Sequence, residues 1–250
     1  MTGCGQVDEA PNASQPTTMV TNTADSADTT SDSGSTDTNQ DVLGLPHFVP
    51  LEATTYYIDP DDDPSTSLRV LYTIPTDGWL QWIGTIKYED PPDPEGHYVG
   101  VSIAAVTNVM VNACNDHRPS DPPIGPTVED LTAALAELAP FIVTEPTTEV
   151  NIYGYSGRHL ELTVPDDIPF EVHADGGHFT DCVGGELQSW LAPVLSYVFW
   201  GYAGPGQIEE FWILDVGGSR LMIQATWFPD SPPEDIAEMR AILDSIRIEP

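Results

Sequence analysis

The chain has 250 residues, 40% of them hydrophobic, with 40 acidic side chains against seven basic ones and a formal net charge of −33. That balance excludes nucleic acid and anionic membrane surfaces as direct partners, because both are held by Lys and Arg clusters that neutralise phosphates. No apolar run is long enough to span a bilayer, and six tryptophans provide for a substantial core.

Residues 1–45 differ in composition from everything that follows. The opening "MTGCGQVDEA" places Cys4 behind a small-residue pair, as in the cleavage box of a bacterial lipoprotein, where the Cys becomes a lipidated N-terminus. Met1–Gly3 supplies neither a basic nor an apolar leader segment, so no signal peptide is read from the chain as it stands. The stretch "SQPTTMVTNTADSADTTSDSGSTDTNQD" has acidic residues but no basic or aromatic ones. It cannot bury enough apolar area to offset its ordering entropy, which predicts a disordered tether. As a coil of about 40 residues it would reach roughly 35 Å. Cys4 is thus the candidate lipid anchor and the tether its spacer. The plain alternative is a dispensable tail on a soluble protein.

Residues 46–250 read as a single α+β globular domain. "DPDDDPSTS" sets Asp59, Asp61 and Asp63 at calcium-loop spacing, but Pro64 stands where Gly is needed and Val70 where the bidentate Glu belongs, so an EF-hand is excluded. In "SLRVLYTIP", Leu68, Val70, Tyr72 and Ile74 share one face of a strand. Asp77-Gly78 marks a turn, after which Trp79 opens the next strand, and "YVGVSIAAV" puts Val99, Val101, Ile103 and Ala105 on one side. "TVEDLTAALAEL" predicts a helix over 127–139, capped by Thr127 and buried along Val128, Leu131, Leu135 and Leu138. "EVNIYGYSGRHLELTVP" predicts a hairpin turning near Ser156-Gly157, with Leu160, Leu162 and Val164 inward and His159, Glu161 and Thr163 outward.

The C-terminal third is the plainest. "QIEEFWILDV" and "RLMIQATWF" form a hairpin about Gly217-Gly218. Leu221, Ile223, Ala225 and Trp227 alternate with Met222, Gln224, Thr226 and Phe228, which predicts one dry face and one partly wet face. "SPPEDIAEMRAILDSI" predicts a helix over 231–246 with Ser231 as cap, Pro232 at its first position and Glu234 closing a capping box. A short strand, "IRIEP", ends the chain. Antiparallel strands with two separated amphipathic helices argue for a curved sheet with helices packed on it.

Three cysteines are present. If Cys4 carries lipid, Cys114 and Cys182 remain as an even pair, each in a polar loop and neither in a CxxC. Their disulfide would indicate an oxidising, extracytoplasmic location; the alternative is two unrelated thiols in a cytosolic protein. A bond there would bring "CNDHR" and "HFTDC" together, making Asp116, His117, His178 and Asp181 candidate ligands for zinc or calcium. Their spacing matches no metal motif, and polar loop residues without metal are the simpler reading. No cofactor is otherwise indicated.

The order "YTIPTDGW", the helix at 127–139, "YGYSGRHLELTVP", Cys182 and "PGQIEEFWILDVGGSRLMIQATWFPDSPPEDIAEMRAILDSI" resembles a group of secreted actinobacterial lipoproteins thought to share a PsbP-like α/β/α sandwich. The similarity covers nearly the whole body and is densest over 205–248. It implies the fold, an extracytoplasmic address and a Cys114–Cys182 pair, and it implies no reaction.

"GYSGRH" departs from a nucleophile elbow at Arg158, where Gly is required, and lies on a hairpin rather than a strand-to-helix turn. The six tryptophans fall mostly in apolar strand patterns and are assigned to core; only one left on the sheet's open face would point to ligand stacking. The reading that results is a monomeric, non-catalytic, lipid-anchored binding or accessory domain, acting through the open face of its sheet or the loops beside the disulfide. It touches membrane only through its anchor, and its ligand is a small molecule or an envelope protein. Two alternatives stand beside it: a hydrolase with a pocket near His173 and His178, and a purely structural envelope protein with no pocket.

Overall fold

A computed structural model describes residues 39–88, 97–173, 176–195 and 200–250. Cys4 and most of the expected tether lie outside the described residues. In chain order the strands are β1 (Gln40–Asp41), β2 (Thr55–Ile58), β3 (Arg69–Thr73), β4 (Leu80–Trp82), β5 (Gly84–Tyr88) and β6 (Tyr98–Ala104). Next come β7 (Asn108–Asn112), β8 (Asp116–Pro119), helix α1 (Val128–Ala136), β9 (Ile142–Ile152), β10 (Tyr155–Thr163), β11 (Glu171–His173) and β12 (Gly176–His178). The chain closes with β13 (Trp190–Leu191), β14 (Ile208–Val216), β15 (Ser219–Trp227), helix α2 (Pro233–Asp244) and β16 (Arg247–Glu249). The architecture is α+β, built mainly of antiparallel sheets with two α-helices among the described residues.

A seven-stranded antiparallel sheet in the order β4-β5-β6-β15-β14-β10-β9 forms the centre. Its two best-defined hairpins turn on residues with positive φ. Gly217 (φ 63°) and Gly218 (φ 89°) join β14 to β15 as expected. The β9–β10 hairpin does not turn at Ser156-Gly157: Tyr153 (φ 53°) and Gly154 (φ 89°) make the turn, and Gly157 sits inside β10 opposite Leu214. A two-residue type I′ loop needs both positions left-handed, and Tyr153-Gly154 satisfies that, whereas neither Ser156 nor Gly157 has a positive φ.

Both faces of the sheet are covered. On one lie α2 and the four-stranded sheet β1-β2-β3-β16, which bury Met239, Ile242 and Leu243 against Val101, Ile103 and Ile223. On the other, α1 brings Leu131 and Leu135 over Leu160 and Phe211, and the three-stranded sheet β13-β7-β8 brings Trp190. The alternation of β15 is therefore correct, but its second face is not wet: Met222, Gln224 and Thr226 are as buried as Leu221, Ile223 and Ala225.

Helix α1 starts on a capping box in which Thr127 accepts from the Asp130 amide and the Asp130 carboxylate accepts from the Thr127 amide. Helix α2 starts differently from the expectation. Pro232 occupies its cap with no side-chain bond, while the Ser231 hydroxyl accepts from the Phe228 amide and closes the preceding turn instead. The folded body also begins before residue 46, because β1 pairs in parallel with β2 and Val42 is fully buried.

Candidate functional site

At the β4-β5-β6 end of the sheet, the face that elsewhere carries α1 is left partly open. Side chains two apart along β4, β5 and β6 point to this face, so Trp82, Ile86, Tyr88 and Tyr98 line the floor of a cleft of about 610 Å³. The segment 187–188 and the turn at 200–202 form its far wall, adding Leu187, Gln188, Trp200 and Tyr202. Phe48 stacks on Trp82 with ring centroids 5.1 Å apart and planes 17° from parallel. Tyr88 meets Tyr98 edge-on at 5.8 Å.

Phe48 is unusual twice over. It is 47% exposed, and its backbone holds φ at 60°, a conformation that bulky residues rarely adopt. The bond from its amide to the Gln81 carbonyl, 3.0 Å long, ties that strained residue to β4 and keeps its ring over Trp82. Of the tryptophans, Trp79 and Trp190 are fully buried and Trp200 nearly so. Trp212 and Trp227 are half-buried like Trp82 but lie on the face that α2 covers, Trp227 under the Arg240 guanidinium, so Trp82 is the one that meets the condition set by the sequence, a ring left on the sheet's open face.

Behind the cleft lies a buried polar cluster centred on Glu209, which is 1% exposed. Its carboxylate accepts from Gln207 Nε2, from the Thr226 hydroxyl at 2.7 Å, and from Gln224 Nε2. Gln224 in turn accepts from the Trp190 indole N–H at 3.0 Å, and Trp190 stacks on Trp200 with planes 7° apart. Burial pushes the Glu209 pKa up to about 7, against the bonds from Thr226, Gln224 and Gln207 that favour its charge. Tyr98 and Tyr202 touch both cleft and cluster. Burial first, and then the negative charge of Glu209, raises the pKa of each phenol well above its usual value.

The sequence offered no sign of this cluster except one: Glu209 occupies an inward position in the alternation of "QIEEFWILDV", where a carboxylate must find buried donors. The donors come from Gln207 beside it and from the neighbouring strand β15, in register opposite Thr226.

The remaining candidates fall elsewhere. Cys114 and Cys182 are joined, with Cα atoms 4.5 Å apart, and pack with Met110, Leu138, Val164, Phe179 and Leu187. The bond does bring the two loops together, but the four proposed ligands face separate partners. Asp116 makes two bonds to Arg118, which hold its carboxyl down at about 2. His117 Nε2 lies 2.8 Å from the Ala113 carbonyl oxygen, His178 packs edge-on against His173 at 4.8 Å, and Asp181 is exposed. Among the described residues, no three His, Cys, Asp or Glu side chains converge in a way that could hold a metal ion. The acidic loop serves itself: Asp59 pairs with Arg69, and Asp61 and Asp63 accept from Asp63, Thr66 and Ser65 within the turn.

A larger cavity, about 810 Å³, lies beside "GYSGRH" and is lined by Ser156, Arg158, Arg220, Glu129 and Glu149. Most of its charged groups are already engaged within the chain. Arg158 sits between Glu129 and Glu149, and Arg220 donates to the carbonyls of Val106, Gly125 and Thr127. Ser156 faces this cavity, whereas His159, three residues along the same strand, emerges on the opposite face and bonds Glu210 at 2.8 Å. Residues three apart in a strand cannot form a dyad. His173 and His178 line neither cavity.

No family model and no curated protein matches the chain. Among solved structures it is similar to LpqN of Mycobacterium tuberculosis, described as involved in cell envelope biogenesis, at 13% identity over 81% of this chain and 90% of that one, with a TM-score of 0.31. That likeness is too distant to carry an argument.

Proposed function

We propose that this chain is a non-catalytic binding domain that works outside the cytoplasm, held at the cell surface through Cys4, and takes a small ligand into the aromatic cleft. One observation carries the reading: Trp82, left on the sheet's open face with Phe48 stacked on it, in a cleft of a size suited to a small organic molecule. What the cleft offers is ring faces with the phenol and indole groups at their edges and the Glu186 carboxylate, which is chemistry for holding a molecule rather than breaking one. The Cys114–Cys182 disulfide supports an oxidising compartment, and no helix of the described residues is long and apolar enough to cross a membrane. The helices on both faces of the central sheet are in keeping with the α/β/α sandwich of the secreted lipoproteins that the sequence resembles.

The test is a thermal-shift panel of neutral sugars, organic cations and lipids on the full chain and on Trp82→Ala. The reading expects at least one class to raise the melting temperature in the parent and to lose that effect in the variant. It fails if no class does so, or if the shifts survive the substitution. For the anchor, labelling with an alkyne fatty acid in a secreting host should mark the parent and not Cys4→Ser; equal labelling of both rejects it.

A further inference from the structure

The cleft has an asymmetry of charge. Among the described residues, its lining includes the Glu186 carboxylate and the Gln188 amide but no Lys, Arg or His. Gln188 donates through Nε2 to Glu186 at 2.6 Å, which leaves its Oε1 buried and without a hydrogen-bond partner among the described residues. The fully buried carboxylate of Glu209 stands behind Tyr98 and Tyr202. Four of the lining rings, Phe48, Trp82, Tyr88 and Tyr98, are paired in stacked or edge-on contacts, and the wall adds Trp200 and Tyr202.

Each feature selects against an anion and toward a cation. The face of an aromatic ring carries negative potential, and several rings around one space form the kind of cage that holds ammonium groups. The Glu186 carboxylate adds a negative charge at the exposed rim of the cleft, and the lining side chains among the described residues carry no positive one. On the scale of the whole molecule, a net charge of −33 raises the local concentration of cations and repels anionic ligands before they arrive. A concave site with low-dielectric walls focuses that field.

We propose that the ligand of this cleft is an organic cation, an alkylammonium group seated against Trp82 and the tyrosine pair with the Glu186 carboxylate as its counter-charge. The proposal rests on the binding role argued above and narrows it to one ligand class. Neutral sugars also stack on tryptophan and bond to phenol and indole groups such as those lining the cleft, but they gain nothing from the charge of Glu186 or from that of the chain. Choline serves as the probe because it has an uncharged carbon isostere of nearly equal shape, 3,3-dimethylbutan-1-ol.

Both compounds are titrated calorimetrically into the full chain at physiological ionic strength, where a Debye length of about 8 Å screens the diffuse anionic field. Choline should bind roughly tenfold more tightly than the isostere, and Trp82→Ala should weaken it by a similar factor, as expected for losing one partly desolvated cation–π face. Trp82→Phe guards against misfolding of the alanine variant and should retain part of the affinity. Glu186→Gln, at an exposed position, should weaken choline and leave the isostere unchanged. Equal affinity for the two compounds overturns the cation assignment while leaving the cleft a binding site. Choline uptake that neither Trp82→Ala nor Glu186→Gln alters also overturns it, since the diffuse field would then be holding the ion. Absence of choline binding overturns it outright. The broader reading falls with it only if the sugar and lipid arms of the thermal-shift panel are silent too.

Discussion

Lys87 Nζ lies 2.6 Å from Asp235 Oδ1, and this bond between β5 and α2 fixes the helix on the central sheet. Lys87 is the only lysine in the chain. It also reaches Glu238 at 2.8 Å, and the Glu238 carboxylate in turn accepts from the buried Trp79 indole at 3.1 Å. Burial disfavours the charge on Lys87, but the bonds to Asp235 and Glu238 more than offset it and its pKa is raised. Replacing Lys87 by Met leaves a buried carboxylate, Asp235 at 8% exposure, without its cation. The expected cost is roughly 2 kcal/mol, below that of a wholly buried pair because the ammonium keeps some water contact. At about 2–4 °C per kcal/mol, the melting temperature should fall by several degrees. Arg118→Met removes the same charge from an exposed pair, 80% open on the arginine side, and should change little. Equal shifts for the two variants would show that net charge, not the β5–α2 link, is responsible.

How much of this was legible in the sequence depends on the range of the interactions involved. Local rules served well: the period-two runs at 68–74 and 221–227, the Gly217-Gly218 turn and the Thr127 cap are all set by near neighbours. They served less well where two local signals compete. Ser231 has the chemistry of a helix cap, yet its hydroxyl is taken by the Phe228 amide, a bond decided by how the chain leaves β15. The wet face expected for β15 is dry because α1 and β13 cover it, and nothing in the alternation of Gln224 and Thr226 says what lies above them. The cleft was legible only as a condition. Six tryptophans sit in similar apolar patterns, and which one stays open is set by Trp200, Tyr202 and Phe48 arriving from distant parts of the chain.

The misplaced hairpin gives a second test. Gly157 reads as a turn residue but serves as a packing one: a Cβ there would lie 2.1 Å from the Ile213 carbonyl oxygen, which is backbone and cannot step aside. Gly154 is the turn residue, with φ at 89° and open space around it. Gly154→Ala should therefore cost only the strain of a left-handed alanine, about 1 kcal/mol. Gly157→Ala must push β10 from β14 and should cost at least twice that, with poor folding the extreme case. Urea unfolding of both variants settles the order, and the reverse ranking would place the turn back at Ser156-Gly157.

The disulfide spans 68 residues, a loop whose closure in the unfolded chain is worth roughly 4 kcal/mol in the chain-entropy model. Cys114 and Cys182 also belong to a small cluster with Phe179 and Leu187, separate from the main core, and the same loops are joined by the bonds from the Val183 amide to the Cys114 carbonyl and from the Gln188 amide to the Ala113 carbonyl. Thermal unfolding in the presence of a reductant, with thiol release verified, should move the midpoint down by about 8–16 °C. A reduced protein that melts where the oxidised one does would mean that the bond carries no stability, and the support it lends to an oxidising compartment would weaken with it.

Glu209 predicts a pH dependence whose sign can be worked out. Its carboxyl titrates at about 7 in the folded chain and at its ordinary value of 4.5 when unfolded. Between those values the folded state holds the extra proton, so stability from this group is greatest at the acid end and is lost as pH rises through 7. The size is bounded at about 3 kcal/mol by the separation of the two pKa values. Asp59, raised to about 6 by burial and then by Asp61, contributes in the same direction over part of the same range. The measurement is therefore a difference: the unfolding free energy of the parent minus that of Glu209→Gln, at about pH 5 and about pH 8. Asp59 titrates in both proteins and cancels, as does any constant cost of re-aiming the Gln207 and Gln224 amides toward a neutral partner. The parent should lose stability relative to the variant on going to the higher pH. A difference that stays flat would mean that the carboxylate keeps its charge in the dry interior, with the donors around it offsetting the whole cost of burial.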